Sequence, residues 1–146
     1  VIVPDVNLLL YAYDTSAKQH ARSFDWLSRA LERAEQIGIA LSTIVASYRL
    51  STDHRIFSSP LTLEQAADAI GTLLGYDGVG VIYPTDRHLP IFNRLVLASR
   101  ATRDLIPDAH LAALALEHGG IVYTNDHDFD RFEEVRVEYP LMSPSP

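Results

Sequence analysis

The chain contains no cysteine and a single lysine, Lys18; its other basic residues are all arginine. Without cysteine there are no disulfides and no thiolate-bound zinc, and a reducing compartment is the expected setting. Lys18 lies well downstream of the first apolar run, so the lysine-assisted chemistry of an aspartyl-phosphate phosphotransferase is poorly supplied. No apolar run approaches the roughly 20 residues that cross a bilayer, and Val1-Ile2-Val3 leads straight into Pro4-Asp5 without a basic leader. A soluble cytoplasmic protein with no membrane partner is therefore expected. Positive charge is scarce: 12 Lys and Arg against 19 Asp and Glu give a formal net charge of -7. That argues against a general nucleic-acid coat protein, which neutralises phosphates with basic side chains. A nuclease stays open, because a carboxylate cluster holding divalent cations presents positive charge to a phosphate.

What is present suits one domain with one core: 146 residues, 47% of them hydrophobic. Val1 to Val3 reads as a strand, followed by an apolar run from Leu8 to Tyr13 with Asn7 as its cap or turn residue. Thr15-Ser16 caps a helix from Ala17 to Glu35 that Gly38 ends. A short strand at Ile39–Leu41 and a helix from Ser42 or Thr43 to Leu50 follow. Thr62 and Gln65, three apart, form a capping-box pattern opening the next helix. A strand at Val79–Tyr83, a helix from Thr85 or Asp86 to Ser99 with Pro90 in its first turns, and strands at Ile121–Thr124 and Val135–Val137 complete the pattern. Strands alternating with helices imply a parallel sheet covered on both faces.

The stretch Ile106 to Gly119 organises the rest. It reads as a helix opened by Pro107 and closed by Gly119, with Asp108 at the positive end of its dipole. A lone aspartate there is ordinary. Two apolar runs, however, end the same way: Val1-Ile2-Val3-Pro4-Asp5 and Ile121-Val122-Tyr123-Thr124-Asn125-Asp126. In an open parallel sheet, strand ends and helix starts meet along one edge, where ligands bind. Asp5, Asp108 and Asp126 can then face one point, and three such carboxylates repel unless a hard cation such as Mg²⁺ sits among them. Asp128 can reach the same ion or cap the next turn. Asp104 ranks lower, because Pro107 argues against a helix start early enough to bring it round. His110 is expected to be a hydrogen-bonded structural residue, and His54, His88 and His127 to be exposed. Of the arginines, Arg49 is the one expected to be held in place and to touch a nucleic-acid backbone.

Taken together, the run from Val1 to Tyr11, Asp108 to Ala115, Thr124 to Phe129, and Arg49-Leu50-Ser51-Thr52 with Arg55-Ile56-Phe57 resemble the PIN-domain ribonucleases. The likeness is greatest to the VapC toxins of bacterial toxin-antitoxin pairs. It implies a three-layer α/β/α sandwich with a mainly parallel central sheet over residues 1–141, residues 142–146 being a disordered tail. It also implies an endoribonuclease dependent on Mg²⁺ or Mn²⁺, a homodimer, an RNA substrate and a VapB-type antitoxin. By the resemblance, Asp5, Asp108 and Asp126 are the catalytic and metal-binding acids, Asp128 an additional acid, and Thr124 a supporting hydroxyl. One position departs: Ala46 stands where the family usually has a glutamate, which favours a one-metal site or low activity, with Asp104 or Asp128 as compensation. The alternative is a weak or inactive PIN-like module that captures an antitoxin or RNA.

Overall fold

The computed structural model describes residues 1–142, so the tail segment Ser143 to Pro146 lies outside the described residues. Five short strands form one all-parallel sheet: β1 (Ile2–Pro4), β2 (Ile37–Ala40), β3 (Val79–Ile82), β4 (Ile121–Tyr123) and β5 (Val137–Glu138). The helices are α1 (Val6–Tyr13), α2 (His20–Glu32), α3 (Leu41–Ser51), α4 (Leu63–Leu74), α5 (His88–Ser99) and α6 (Leu105–Glu117), with a 3₁₀ turn at His127–Arg131. Across the sheet the order is β3-β2-β1-β4-β5. β1 is therefore central: the chain builds outward from it through β2 to β3, then crosses back to add β4 and β5 on its other side. In such sheets the point where the order reverses leaves a crevice at the carboxyl ends of the strands.

Alternation along the strands sorts the core into two faces. Ile2, Ile37 and Ile39 pack with Leu9, Ala12, Leu27 and Leu73 of α1, α2 and α4. Val3, Ala40 and Val122 pack with Leu95 of α5 and with α6. The result is the expected three-layer α/β/α arrangement. α6 meets the sheet through Ala109, Ala112, Ala113 and Ala115, all fully buried, and the small side chains allow a close approach. Phe129, also fully buried, fixes the 3₁₀ turn against this second face.

Several boundaries differ from the sequence expectation, each for a local reason. Asp5, not Asn7, caps α1: the helix starts as soon as β1 ends, and the Asp5 carboxylate accepts the Val6 N–H. Gly38 is inside β2 and does not end α2, because a Cβ there would lie 2.8 Å from Ile82 Cγ2 on β3. The left-handed turn after α2 falls to Ala34, with φ 50°. α6 begins at Leu105, ahead of Pro107. The first-turn N–H groups of a helix have no intrahelical partner, so proline is tolerated there and does not mark the start.

The capping box is present in full: Gln65 N–H donates to the Thr62 hydroxyl at 3.1 Å, and Thr62 N–H to the Gln65 side chain at 2.9 Å. Thr62→Ala is expected to cost about 1 kcal/mol, a fall in Tm of roughly 2–4 °C by calorimetry. An unchanged Tm would mean that the cap contributes nothing.

Candidate active site

The carboxyl ends of β1 and β4 lie side by side, with Pro4 level with Tyr123. Asp5 follows the first and Thr124 the second, so neighbouring strands deliver them to the crevice at the reversal of strand order. Asp5 is held on both oxygens: Oδ1 accepts the Val6 N–H at 2.8 Å, and Oδ2 accepts the Thr124 hydroxyl at 2.8 Å. Thr124 is completely buried, and its Oγ1 also accepts the Asp126 N–H at 3.0 Å. One hydroxyl thus ties the orientation of Asp5 to the backbone that carries Asp126. Asp126 in turn caps the 3₁₀ turn, its Oδ1 accepting the Asp128 N–H at 2.9 Å.

Asp108 enters from the first turn of α6, where the helix dipole favours its charge. Other forces oppose that. Burial first, then the charges of Asp5, Asp126, Asp128 and Asp104, push its carboxyl up to about 7. The Asp5 carboxyl is also raised, chiefly by burial and further by Asp126, although its bonds to Thr124 and Val6 pull the other way. The groups that act on Asp108 are all acids. Thr124 thus links Asp5 to Asp126 directly, and the charges of both act on Asp108, as do those of the exposed Asp128 and Asp104. Asp104 ranked below the other acids because it shares the side of Asp108 only if the helix starts early; α6 does start early, so Asp104 precedes Asp108 by one helical turn and adds to its charge environment.

The donor set is carboxylate and hydroxyl oxygen throughout, which suits a hard cation such as Mg²⁺. Among the described residues no group of three or more His, Asp or Glu side chains is placed to hold a metal ion. Mg²⁺ commonly keeps several waters and uses one or two carboxylates, so the oxygen-only chemistry and the mutual repulsion of these acids fit such an ion without such a group.

Two expectations fail here. Arg49 lies exposed in the last turn of α3 and is not held in place. His88 is not exposed: its side chain is 12% accessible and bridges Glu117 and His110. Its Nδ1 lies 3.1 Å from Glu117 Oε1 and its Nε2 3.0 Å from His110 Nδ1, while the Thr85 hydroxyl donates to Glu117 Oε2 at 3.0 Å. His110 is thus hydrogen-bonded, as its position suggested. The burial of Glu117 carries no local sequence signal, because its partners Thr85 and His88 lie 32 and 29 residues earlier, at the entrance to α5.

Residues 2–135 match the family described as PIN domain. The sequence is 38% identical over 138 residues to Ribonuclease VapC37 of Mycobacterium tuberculosis, covering 94% of this chain and 96% of that protein. The chain belongs to the PIN-domain family, among its VapC members. Solved structures share the PIN fold. VapBC2 from Rickettsia felis, bound to a DNA fragment from its promoter, superposes with a TM-score of 0.70 at 14% identity, covering 94% of this chain and 96% of that one. VapC20 of M. tuberculosis, described as a sarcin-ricin loop cleaving toxin, gives 0.61 at 17% identity, covering 93% and 99%. Among the described residues of this PIN protein, no helix is long and apolar enough to cross a membrane.

Proposed function

We propose that this VapC-family protein is an endoribonuclease toxin that hydrolyses RNA phosphodiester bonds with Mg²⁺ or Mn²⁺. Asp5, Asp108 and Asp126 would hold the cation. When bound, such an ion supplies Lewis-acid activation of water and offsets charge on the phosphate. The observation that carries the reading is the geometry at the ends of β1 and β4, where the buried Thr124 hydroxyl donates to Asp5 and accepts the Asp126 N–H; the upward push on the Asp108 carboxyl from burial and those acids agrees with it. Membership of a family whose relatives are named ribonucleases supports the same reading.

The chain's own residues divide the work. Thr124 and the Val6 N–H fix the Asp5 carboxylate, so its orientation is set before substrate arrives. Asp108, whose carboxyl burial and the neighbouring acids push up, would give up its proton on binding the cation, because a ligating carboxylate is ionised. Asp128 and Asp104 add negative charge at the rim. A cognate VapB-type antitoxin, a homodimeric state and a cytoplasmic location belong to the same proposal, and Arg49 remains a candidate backbone contact on an exposed helix end. Cleavage of a purified RNA pool by the parent protein with Mg²⁺, absent when EDTA is added, tests the reading; no cleavage under either condition would refute it.

A second reading has its own support. Ala46, on α3, contributes no carboxylate where the family usually carries glutamate, which favours a weak or inactive module that captures an antitoxin or RNA. Calorimetry in which neither Mg²⁺ nor Mn²⁺ binds would favour it.

Thr124→Val keeps the buried volume but removes both hydroxyl bonds. RNA cleavage is expected to fall roughly 10- to 100-fold, the usual cost of losing a group that orients a ligand, with circular dichroism unchanged. A full rate would show that Asp5 needs no such anchor.

A further inference from the structure

A cleft of about 620 Å³ opens between α2 and the exits of β4 and β5. Arg22, Trp26, Arg29 and Arg33 line one wall; their spacing of four, three and four places them on one side of α2 and its cap. Tyr123 and Tyr139 line the other wall. The rings of Trp26 and Tyr123 stand 5.5 Å apart, tilted by 32°. Arg22 Nη1 donates to the Leu141 carbonyl at 2.8 Å, which holds the Pro140–Met142 segment against the cleft. Arg29 makes an exposed pair with Asp25 at 3.2 Å, and Arg33 is exposed. Glu35 and Glu138 add carboxylate acceptors.

The cleft reaches the end of β4 at Tyr123, three residues before Asp126. Tyr123 precedes Thr124, and its carbonyl accepts the Asp5 N–H at 2.8 Å. Each kind of lining group has a counterpart in a single nucleic-acid strand. Guanidinium groups pair with phosphates, aromatic faces stack on unpaired bases, and carboxylates accept from exocyclic amino groups. A protein partner would also use Trp, Tyr and Arg, but the mixture of arginine stripe, ring faces and acids beside the acid cluster matches a strand leading into it.

We propose that this cleft binds the single-stranded RNA adjoining the scissile phosphodiester and reads part of its sequence. The inference rests on the ribonuclease reading above. Asp25, Glu35 and Glu138 offset Arg22, Arg29 and Arg33, so affinity depends on stacking as well as on phosphate contacts, and non-specific retention of RNA is limited.

Trp26 is the chain's only tryptophan, so its emission reports on the cleft directly. A mixed-sequence RNA octanucleotide titrated into the Asp5→Asn protein in Mg²⁺ is expected to quench that emission. Replacing both exposed arginines, Arg29→Ser with Arg33→Ser, is expected to weaken binding about tenfold and to lower the salt slope by roughly 1.4, at about 0.7 for each phosphate contact to a single strand. In the otherwise parental protein the same pair should raise KM for RNA about tenfold with kcat unchanged. If the parent cleaves RNA but Trp26 emission, affinity and KM do not respond, the cleft proposal is overturned and the nuclease reading survives. If the parent neither cleaves nor binds RNA, both fall. If the double variant retains RNA binding and instead loses its antitoxin, the cleft belongs to a protein partner and the proposal is overturned.

Discussion

Asp5→Asn and Asp108→Asn each abolish RNA cleavage, by more than ~100-fold in kcat/KM, and each also relieves growth arrest when expressed in a bacterial host. Loss of a group that merely orients a metal ligand costs 10- to 100-fold, so loss of the ligand's own charge should cost more. Neither substitution threatens the fold. Asparagine caps helices as well as aspartate does, so its amide oxygen keeps the Val6 bond and the start of α1, while its amide nitrogen can donate to the Thr124 hydroxyl in place of the bond that Asp5 Oδ2 accepts. Asp108 is half-buried in a first helical turn, where removing a repelled charge relieves strain on the cluster. Circular dichroism and size exclusion should therefore match the parent. Substantial cleavage by either variant would exclude the acid cluster from the chemistry.

Asp108→Asn also melts higher than the parent in cation-free buffer at alkaline pH, and the gain disappears on acidification. An ordinary aspartate in the unfolded chain titrates near 3.9, whereas the folded-state carboxyl of Asp108 lies at about 7. The folded protein thus binds the extra proton between those values. That contribution is fully present below the unfolded value and is lost as pH rises through about 7. Asp5, raised for related reasons, acts in the same direction. An asparagine side chain does not titrate, so the variant keeps what the parent loses. Because Asp108 is partly exposed, solvent screening reduces the effect, and we expect on the order of 1–2 kcal/mol at pH 8.5, a rise in Tm of roughly 2–8 °C. By pH 4 the two melting curves should converge. Added Mg²⁺ should reverse the order, since the ion stabilises only the protein that binds it. Parallel curves at all pH values would show that Asp108 is not under charge strain.

Much of this was legible along the chain. Asp5 and Asp126 are readable because each terminates an apolar run, and in a parallel sheet such ends share an edge. Asp108 is readable because it enters a helix that must pack on that sheet. The capping box at Thr62 is readable because both of its bonds are local. What escaped depends on contacts between distant segments. Asp104 joins the cluster only because α6 starts before Pro107, and proline permits but does not fix a start. Gly38 looks like a helix stop until Ile82 of the neighbouring strand is seen pressing on it. Glu117 and His88 have the composition of a helix end and a helix start, and only the packing of α5 on α6 buries them. Arg49 has apolar sequence neighbours, yet it stands on the outward side of α3. The arginine stripe of α2 follows ordinary helical spacing, but its opposite wall comes from the far end of the chain.

The most direct test of the acid cluster as a cation site is a crystal of the protein soaked in Mn²⁺ and measured at the manganese absorption edge. An anomalous peak is predicted within coordinating distance of Asp5, Asp108 or Asp126, lost in Asp108→Asn crystals treated identically. Manganese found only elsewhere on the protein, or a peak that survives the substitution undiminished, would contradict it.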